Sequence, residues 1–333
     1  MGDLALGAAD GVMGKGGADL DPDIRRFVET TGAAYRRYGG EGPLTPQRAR
    51  EVAERVRAPW REGGPKMART VDTAIPTRHG EVRARIHHPL DAADQPALLY
   101  LHGGGWTFFS IDTHDRLMRE YAHRACVVVV GIDYALSPEA KFPVALEQCT
   151  DATVWLHQNG VDLGIDPARL AVGGDSAGGN LSVGVGLALR DAGRGDVVRA
   201  LLLNYPSFGG VCTEEYVRRY GGPGYMLSAD EIATFWDNLV RDAADRGHPH
   251  LRSLDADLAG LPPVFIAIPE CDILSCQSLA MVPKLEAASV PVRAELYRGA
   301  THSFLEAVSI SRLADRALAD GSAWLREILA APR

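Results

Sequence analysis

The sequence predicts an α/β protein in which helices cover both faces of a mostly parallel central sheet. Two observations support this prediction. Short, continuously apolar runs of strand length recur along the chain, and helical segments alternate with them. Strands that are apolar on both faces are typical of a parallel sheet buried between two helical layers. The 333 residues, 46% of them hydrophobic, are enough for one large core of this kind.

The predicted strands begin with an antiparallel hairpin at the edge of the sheet, formed by residues 69–75 and 81–88 around a turn at His79-Gly80. Six further strands are predicted at residues 97–101, 127–132, 170–172, 200–203, 264–268 and 292–297. Helices are predicted at residues 117–125, 144–156, 181–189 and 310–329.

Two helical regions lie outside this alternation. Residues 1–60 contain two amphipathic helices, the second starting at Thr45-Pro46, and residues 206–255 contain a helix that starts at the capping box Ser228–Glu231. We expect both regions to pack together as a helical cap over the carboxyl edge of the sheet. Residues 61–205 and 256–333 would then form the two parts of the core. Residues 1–20, which lack periodicity, are expected to be mobile.

Composition argues against several functional classes. The net charge of −8 does not favour a nucleic-acid partner, and no apolar run approaches the length of about 18 residues that spans a membrane. The N-terminus lacks the pattern of a secretory signal, so we expect a cytoplasmic protein. The five cysteines show no CxxC spacing, and the histidines lack partners at ligand spacing, so neither a disulfide framework nor a metal site is predicted.

The strongest local signal is a G-x-S-x-G motif formed by Gly174, Ser176 and Gly178. It stands between a predicted strand and a predicted helix, which is the context of a nucleophile elbow. The turn is strained and crowded, so glycine is required two residues before and after the serine. A glycine-rich turn that binds phosphate, or nothing, is the alternative interpretation. In this context the motif favours Ser176 as a nucleophile.

A second glycine motif, His102-Gly103-Gly104-Gly105-Trp106, follows the strand at residues 97–101. Acyl transfer through a serine requires donors for an oxyanion, and backbone N–H groups are accessible where side chains are absent. The N–H groups of Gly104 and Gly105, with Gly103 as a further candidate, are expected to act with that of Ala177. An ordinary flexible loop is the alternative. His102 is expected to hold the loop by a hydrogen bond and not to act as a base.

Two weaker signals complete the set. Asp272 follows the strand at residues 264–268, and His302 follows the strand at residues 292–297. The order Ser176, Asp272, His302 is the chain order of the triad in an α/β-hydrolase, and a parallel sheet brings the loops after its strands to one edge. The sequence therefore predicts the α/β-hydrolase fold and a Ser-His-Asp hydrolase that uses no metal or cofactor.

The chain resembles the bacterial hormone-sensitive-lipase-like esterases over roughly residues 70–310. The resemblance rests on the two glycine motifs, on the Asp133–Glu139 segment, and on the loops of Asp272 and His302. It implies a carboxylesterase for short-acyl esters of small molecules, with a helical cap and a possible homodimer. The family pattern D-P-L-x-D-E is altered after Asp272, where Cys276 and Gln277 replace two acidic residues. We therefore expect packing of apolar side chains, more than polar bonds, to hold this loop.

The sequence also offers residues for the substrate pocket. Its candidates are the bulky side chains Trp106, Phe108, Phe109, Tyr205, Met226, Phe235 and Trp236. Core packing is the simpler interpretation of the last three. Two other functions remain open: an amide hydrolase such as an arylformamidase, and a ligand-binding protein without turnover. Plant gibberellin receptors resemble this family but lack the triad histidine, so the presence of His302 favours an enzyme.

Overall fold

The computed structural model describes residues 19–40 and 42–330. The segment expected to be mobile, residues 1–20, lies outside the described residues except for its last two. Of these, Leu20 is buried, and the adjoining Asp21 N–H donates a hydrogen bond of 2.9 Å to the Gly299 carbonyl. The end of this segment is therefore packed against the core, contrary to the expectation.

One sheet of eight strands forms the centre of the described chain. Its strands are β1 (Arg69–Thr77), β2 (Gly80–His88), β3 (Gln95–Leu101), β4 (Val128–Ile132), β5 (Ile165–Asp175), β6 (Ala200–Asn204), β7 (Val264–Cys271) and β8 (Val292–Thr301). Their order is β1-β2-β4-β3-β5-β6-β7-β8. The β1–β2 and β2–β4 pairs are antiparallel, and all later pairs are parallel. The mostly parallel sheet with a hairpin at its edge is thus confirmed.

Ten helices accompany the sheet within the described residues. They are α1 (Pro22–Gly39), α2 (Pro46–Arg57), α3 (Asp115–Ala125), α4 (Val144–Asn159), α5 (Ala177–Asp191), α6 (Glu214–Tyr220), α7 (Ala229–Leu239), α8 (Ala243–Arg246), α9 (Ser275–Ala287) and α10 (Arg312–Ala330). The Thr45 hydroxyl caps α2, and Ser228 and Glu231 form the capping box of α7. These caps satisfy N–H groups that the first turn of a helix leaves unpaired.

The apolar core lies on both faces of the sheet. Along β3, Leu99 and Leu101 contribute to one large cluster, whereas Leu98 and Tyr100 contribute to the other. Successive side chains of a strand point to opposite faces, so a continuous apolar run fills both layers at once. Each layer is closed by helices, which explains why these strands show no polar alternation.

Sequence analysis missed three of the helices. Short helices α6 and α8 lie in the insertion, and α9 follows Asp272 directly. The buried residues of α9 include the polar Ser275, Gln277 and Ser278, and a proline, Pro283, lies inside this helix. These features remove the apolar periodicity on which a helix prediction depends.

The N-terminal helices and the insertion meet beside the loop that follows β3. Ala49 and Ala53 of α2 form a small buried cluster with Phe108, and Phe235 of α7 packs against it. The Phe108 and Phe235 rings are 5.8 Å apart. The division of the chain into a cap of residues 1–60 and 206–255 and a core of residues 61–205 and 256–333 remains a proposal. None of the helices in the described part of the chain is both long and apolar enough to span a membrane.

Candidate active site

Ser176 occupies a sharp turn between the end of β5 and the start of α5. Its φ of 55° and ψ of −115° are unfavourable for a side-chain-bearing residue. The Leu101 carbonyl lies so close that a Cβ at Gly174 or Gly178 would approach its oxygen to 2.1 or 1.9 Å. Both glycines are therefore required by backbone contact. The turn holds the Ser176 hydroxyl at the carboxyl edge of the sheet.

The loops after β7 and β8 bring two further side chains to this serine. His302 Nε2 lies 2.8 Å from Ser176 Oγ, and His302 Nδ1 lies 2.7 Å from Asp272 Oδ2. The second carboxylate oxygen of Asp272 accepts a hydrogen bond of 2.9 Å from the Leu274 N–H. All three predicted residues thus form one continuous chain of hydrogen bonds. This geometry allows a histidine to take a proton from the serine.

The His102–Trp106 loop lies beside Ser176, but its glycines differ in their hydrogen bonds. The Gly103 N–H donates to Asp175 Oδ1 at 3.1 Å, so it is already engaged. This bond makes Gly103 the least available of the predicted oxyanion donors. Gly104 and Gly105 have φ values of 109° and 59°, which favour glycine. A Cβ at Gly105 would also lie 2.3 Å from the Phe235 ring. These two glycines and Ala177 remain candidates.

Asp175, which precedes the serine, fixes the His102–Trp106 loop through its hydrogen bond with Gly103. Besides Gly103, its carboxylate accepts a hydrogen bond of 2.9 Å from the Tyr100 hydroxyl and lies 3.3 Å from His114 Nε2. Burial raises the pKa of Asp175, but the charge and the hydrogen bond of His114 lower it by more. The net pKa of Asp175 therefore lies below its ordinary value. The same carboxylate raises the pKa of His114 against the effect of burial. Each of these two buried groups thus favours the charged form of the other.

His102 is buried behind the loop and remains neutral. Burial, aided by the charge of His114, lowers its pKa to about 3. Its Nδ1 lies 2.7 Å from the Gly103 carbonyl, and its ring stacks on Tyr134 with centroids 4.3 Å apart. The Tyr134 hydroxyl donates to the His102 carbonyl at 2.7 Å. These contacts fix the loop conformation and are consistent with the expected structural part of His102.

Comparison with known proteins identifies the family. Residues 98–306 match a family model described as the alpha/beta hydrolase fold. This span contains both glycine motifs and all three residues of the hydrogen-bond chain. The chain belongs to this α/β-hydrolase family. The predicted fold and the resemblance to hormone-sensitive-lipase-like esterases are therefore confirmed.

Solved structures similar to this α/β-hydrolase are esterases. A hyperthermophilic esterase from the archaeon Pyrobaculum calidifontis is 32% identical, with a TM-score of 0.87, over 94% of this chain and 100% of that chain. A thermophilic carboxylesterase cloned from a metagenomic library is 33% identical, with a TM-score of 0.83, over 87% of this chain and 99% of that chain. An ester hydrolase from the metagenome of Lake Arreo was solved in complex with a bipyridine phosphonate derivative. It is 29% identical, with a TM-score of 0.86, over 94% of this chain and 100% of that chain.

The predicted pocket residues of this hydrolase fall into two groups. The Tyr205 ring lies 5.1 Å from the His302 ring, and the Phe235 ring lies against Gly105. Phe108 and Phe109 flank the same loop, and Met226 is partly buried nearby on the insertion. Trp106 and Trp236, with ring centroids 5.5 Å apart, are buried in the large core cluster. This burial agrees with the packing interpretation of Trp236, and the pocket role of Trp106 stays a prediction.

The loop after Asp272 departs from the family pattern, and polar bonds hold it nevertheless. Buried Gln277 accepts a hydrogen bond of 2.8 Å from the Phe208 N–H and donates one of 2.8 Å to the Gly210 carbonyl. Ile273 and Leu274 are also buried. Packing and polar bonds therefore both hold this loop, and a neutral amide provides both the donor and the acceptor that these backbone groups require. That packing contributes more than the polar bonds stays a prediction.

Sequence analysis also missed a buried ion pair near the site. Arg57, at the end of α2, lies 3.2 Å from Glu306, four residues after His302. The two are far apart in sequence and belong to no motif, so no local signal could have paired them. In residues 19–40 and 42–330, no group of three or more histidine, cysteine or acidic side chains is arranged to bind a metal ion.

Proposed function

We propose that this protein is a serine carboxylesterase that hydrolyses short-acyl esters of small molecules through an acyl-enzyme. The observation that supports this proposal most strongly is the hydrogen-bond chain from Ser176 through His302 to Asp272, with distances of 2.8 and 2.7 Å. Nucleophile, base and orienting carboxylate are the three components that such a reaction requires. The similar esterases, one of them bound to a phosphonate, support ester substrates.

In the first step, Ser176 Oγ attacks the ester carbonyl while His302 Nε2 takes the hydroxyl proton. Asp272 accepts a hydrogen bond from Nδ1–H of His302, so it fixes the ring and stabilises the imidazolium that forms. His302 then gives the proton to the leaving alcohol. Water, activated by the same nitrogen, attacks the acyl-enzyme and releases the acid.

Negative charge develops on the carbonyl oxygen in both steps. The N–H groups of Gly104, Gly105 and Ala177 are proposed to donate hydrogen bonds to it. Ala177 is the first residue of α5, so its N–H lies at the positive end of a helix. Asp175 holds the preceding Gly103 in place, which fixes the two following glycines before substrate binds. Donors oriented in advance stabilise the transition state most effectively.

Bulky side chains limit the acyl group. Phe235 covers Gly105, and Tyr205 lies against His302. We therefore propose a preference for acyl groups of roughly two to six carbons, because a pocket of ordinary size accommodates only small ligands.

The direct test is hydrolysis of p-nitrophenyl esters of graded acyl length by the wild-type protein and two variants. Ser176→Ala should lower kcat/KM by at least ~10³-fold. Ser182→Ala is the matched control, since Ser182 is buried on α5, the helix that follows Ser176, and its hydroxyl donates to the Gly178 carbonyl. The activity of this variant should stay near that of the wild type. Full activity of pure Ser176→Ala contradicts the proposal.

The same experiment separates the remaining candidates. A parallel series of aryl amides, including N-formyl anilides, identifies an amide hydrolase if those are cleaved faster than the esters. Absence of turnover on both series, with retained binding of an ester, identifies a binding protein.

A further inference from the structure

Two cysteines lie together where the 206–255 insertion meets the loop of Asp272. We propose that Cys212 and Cys276 are a redox-active thiol pair that a hydroperoxide oxidises to a disulfide, joining the insertion to α9. This inference is independent of the proposed esterase activity.

Hydrogen bonds place the two cysteine side chains next to each other. The side chains of Cys212 and Cys276 share a hydrogen bond. The Gln277 amide donates to Cys212 Sγ at 3.5 Å, and Cys276 Sγ lies 3.4 Å from the Ile273 carbonyl. Neither cysteine is fully buried, so a small oxidant can reach the pair. The bonds of Gln277 to Phe208 and Gly210 hold the two segments together independently of the thiols.

The two thiols are inequivalent. Hydrogen bonds from the Cys212 thiol and then from backbone N–H groups, including that of Thr213, lower the pKa of Cys276 to about 7 against the effect of burial. The hydrogen bond to Cys276 and burial raise the pKa of Cys212. Because the thiolate is the reactive form, Cys276 is the attacking residue and Cys212 the resolving residue.

The remaining cysteines are poorer candidates. Burial raises the pKa of Cys149, and it raises that of Cys271 to about 12. Cys126 is exposed, and its Sγ lies 3.6 Å from the His123 carbonyl. It serves as an accessible control for oxidation outside the pair.

The chemistry balances with one hydroperoxide per disulfide. The Cys276 thiolate attacks the peroxide oxygen, forming an S–O bond as the O–O bond breaks, and the hydroxide released takes up a proton. Cys276 is then a sulfenic acid. The Cys212 sulfur attacks the Cys276 sulfur, the S–S bond forms, and the S–O bond breaks. The second hydroxide takes the proton of Cys212 and leaves as water. Two thiols and hydrogen peroxide thus give one disulfide and two waters.

The first test treats the full chain with hydrogen peroxide and counts free thiols after denaturation. The wild-type protein should lose two of its five thiols and the mass of two hydrogen atoms, and dithiothreitol should restore both. Peptide mass spectrometry should find Cys212 linked to Cys276. Cys126→Ser should form the same disulfide, whereas Cys212→Ser and Cys276→Ser should not. Retention of all wild-type thiols, over-oxidation of Cys276 without pairing, or disulfides through Cys126 overturns the proposal.

A second measurement does not require oxidation. Phenylarsine oxide bridges two neighbouring thiols, so one equivalent should protect both cysteines from alkylation in the wild-type protein and neither in the two serine variants. The alkylation rate of Cys276 should rise with pH around a midpoint of about 7, and Cys212→Ala, which removes the thiol donor, should move this midpoint upward. Equal protection in Cys212→Ser, or an unchanged midpoint, contradicts the pair. Circular dichroism of each variant verifies that it is folded.

Discussion

Arg57 and Glu306 form an ion pair of 3.2 Å in which both side chains are almost completely buried. Arg57 ends α2, and Glu306 lies in the short 3-10 helix Phe304–Ser309, so the pair connects the N-terminal helices to the segment that follows the proposed base His302. The Arg57 guanidinium also lies 4.9 Å from the centre of the Phe109 ring. Burial raises the pKa of Glu306, and the charge of Arg57 opposes this rise.

Removing one member of this pair should destabilise the protein. We expect Arg57→Met to lower the free energy of unfolding by about 3–5 kcal/mol, because an unpaired buried carboxylate remains. The double variant Arg57→Met with Glu306→Gln should recover part of this loss. Chemical denaturation of the wild type, Arg57→Met, Glu306→Gln and the double variant measures both effects. Additive losses in the double variant would show that the two side chains do not interact energetically.

Acid should destabilise the protein through His102. A histidine with a folded pKa of about 3 stays neutral in the fold while the unfolded chain takes up a proton below about pH 6.5. The unfolded state then binds more protons, so stability falls as the pH drops through this window, by about 2 kcal/mol at about pH 5.

Denaturation curves of His102→Asn between about pH 7 and about pH 4 should isolate this effect. The asparagine amide can still donate to the Gly103 carbonyl but does not titrate, so the pH dependence should be shallower than in the wild type. His123→Asn, at an exposed position on α3, is the control for replacing a histidine by asparagine. An identical slope in His102→Asn contradicts the prediction.

Phe235 should limit acyl length. Phe235→Ala removes the ring that lies against Gly105, so esters with two more methylenes should gain about tenfold in kcat/KM relative to acetyl esters. Thr234→Ala on the same helix, where the hydroxyl donates to the Asp230 carbonyl, should leave the ratio unchanged. Loss of activity on all esters in equal proportion would show that Phe235 stabilises the site without selecting the acyl group.

Gln277 should not tolerate the acidic residue of the family pattern. In Gln277→Glu the carboxylate faces the Gly210 carbonyl without a proton to donate, so we expect a loss of about 1–3 kcal/mol near neutral pH. Protonation restores the donor, which raises the folded pKa of the new carboxyl. The variant should therefore approach wild-type stability in acid and lose it as the pH rises. Wild-type stability at all pH values contradicts this role of Gln277.

The fold was predictable where local patterns and long-range structure agree. The apolar runs of β3, β4 and β6 are buried on both faces, so each is visible in sequence without knowledge of its partners. Ser176 was predictable because the close approach of the Leu101 backbone allows only glycine at positions 174 and 178. The two glycines therefore mark the serine between them in the sequence.

Other features depend on tertiary structure alone. The buried side of helix α9 mixes apolar Met281 and Leu285 with polar residues such as Gln277, which bonds to the insertion, so its apolar periodicity is incomplete. The engagement of Gly103 by Asp175 depends on how β3 and β5 are aligned, which the glycine motif does not encode. The Arg57–Glu306 pair joins residues that only the completed fold brings together.

The proposed nucleophile can be tested most directly by covalent labelling with a p-nitrophenyl alkylphosphonate, which forms a stable tetrahedral adduct on an activated serine. We expect one adduct per chain, located on Ser176 by peptide mass spectrometry, with release of one equivalent of p-nitrophenol and parallel loss of ester hydrolysis. Labelling should be absent in Ser176→Ala and much slower in His302→Ala, since His302 Nε2 lies 2.8 Å from the serine oxygen. An adduct on another residue, or inactivation that leaves Ser176 unmodified, would contradict the account.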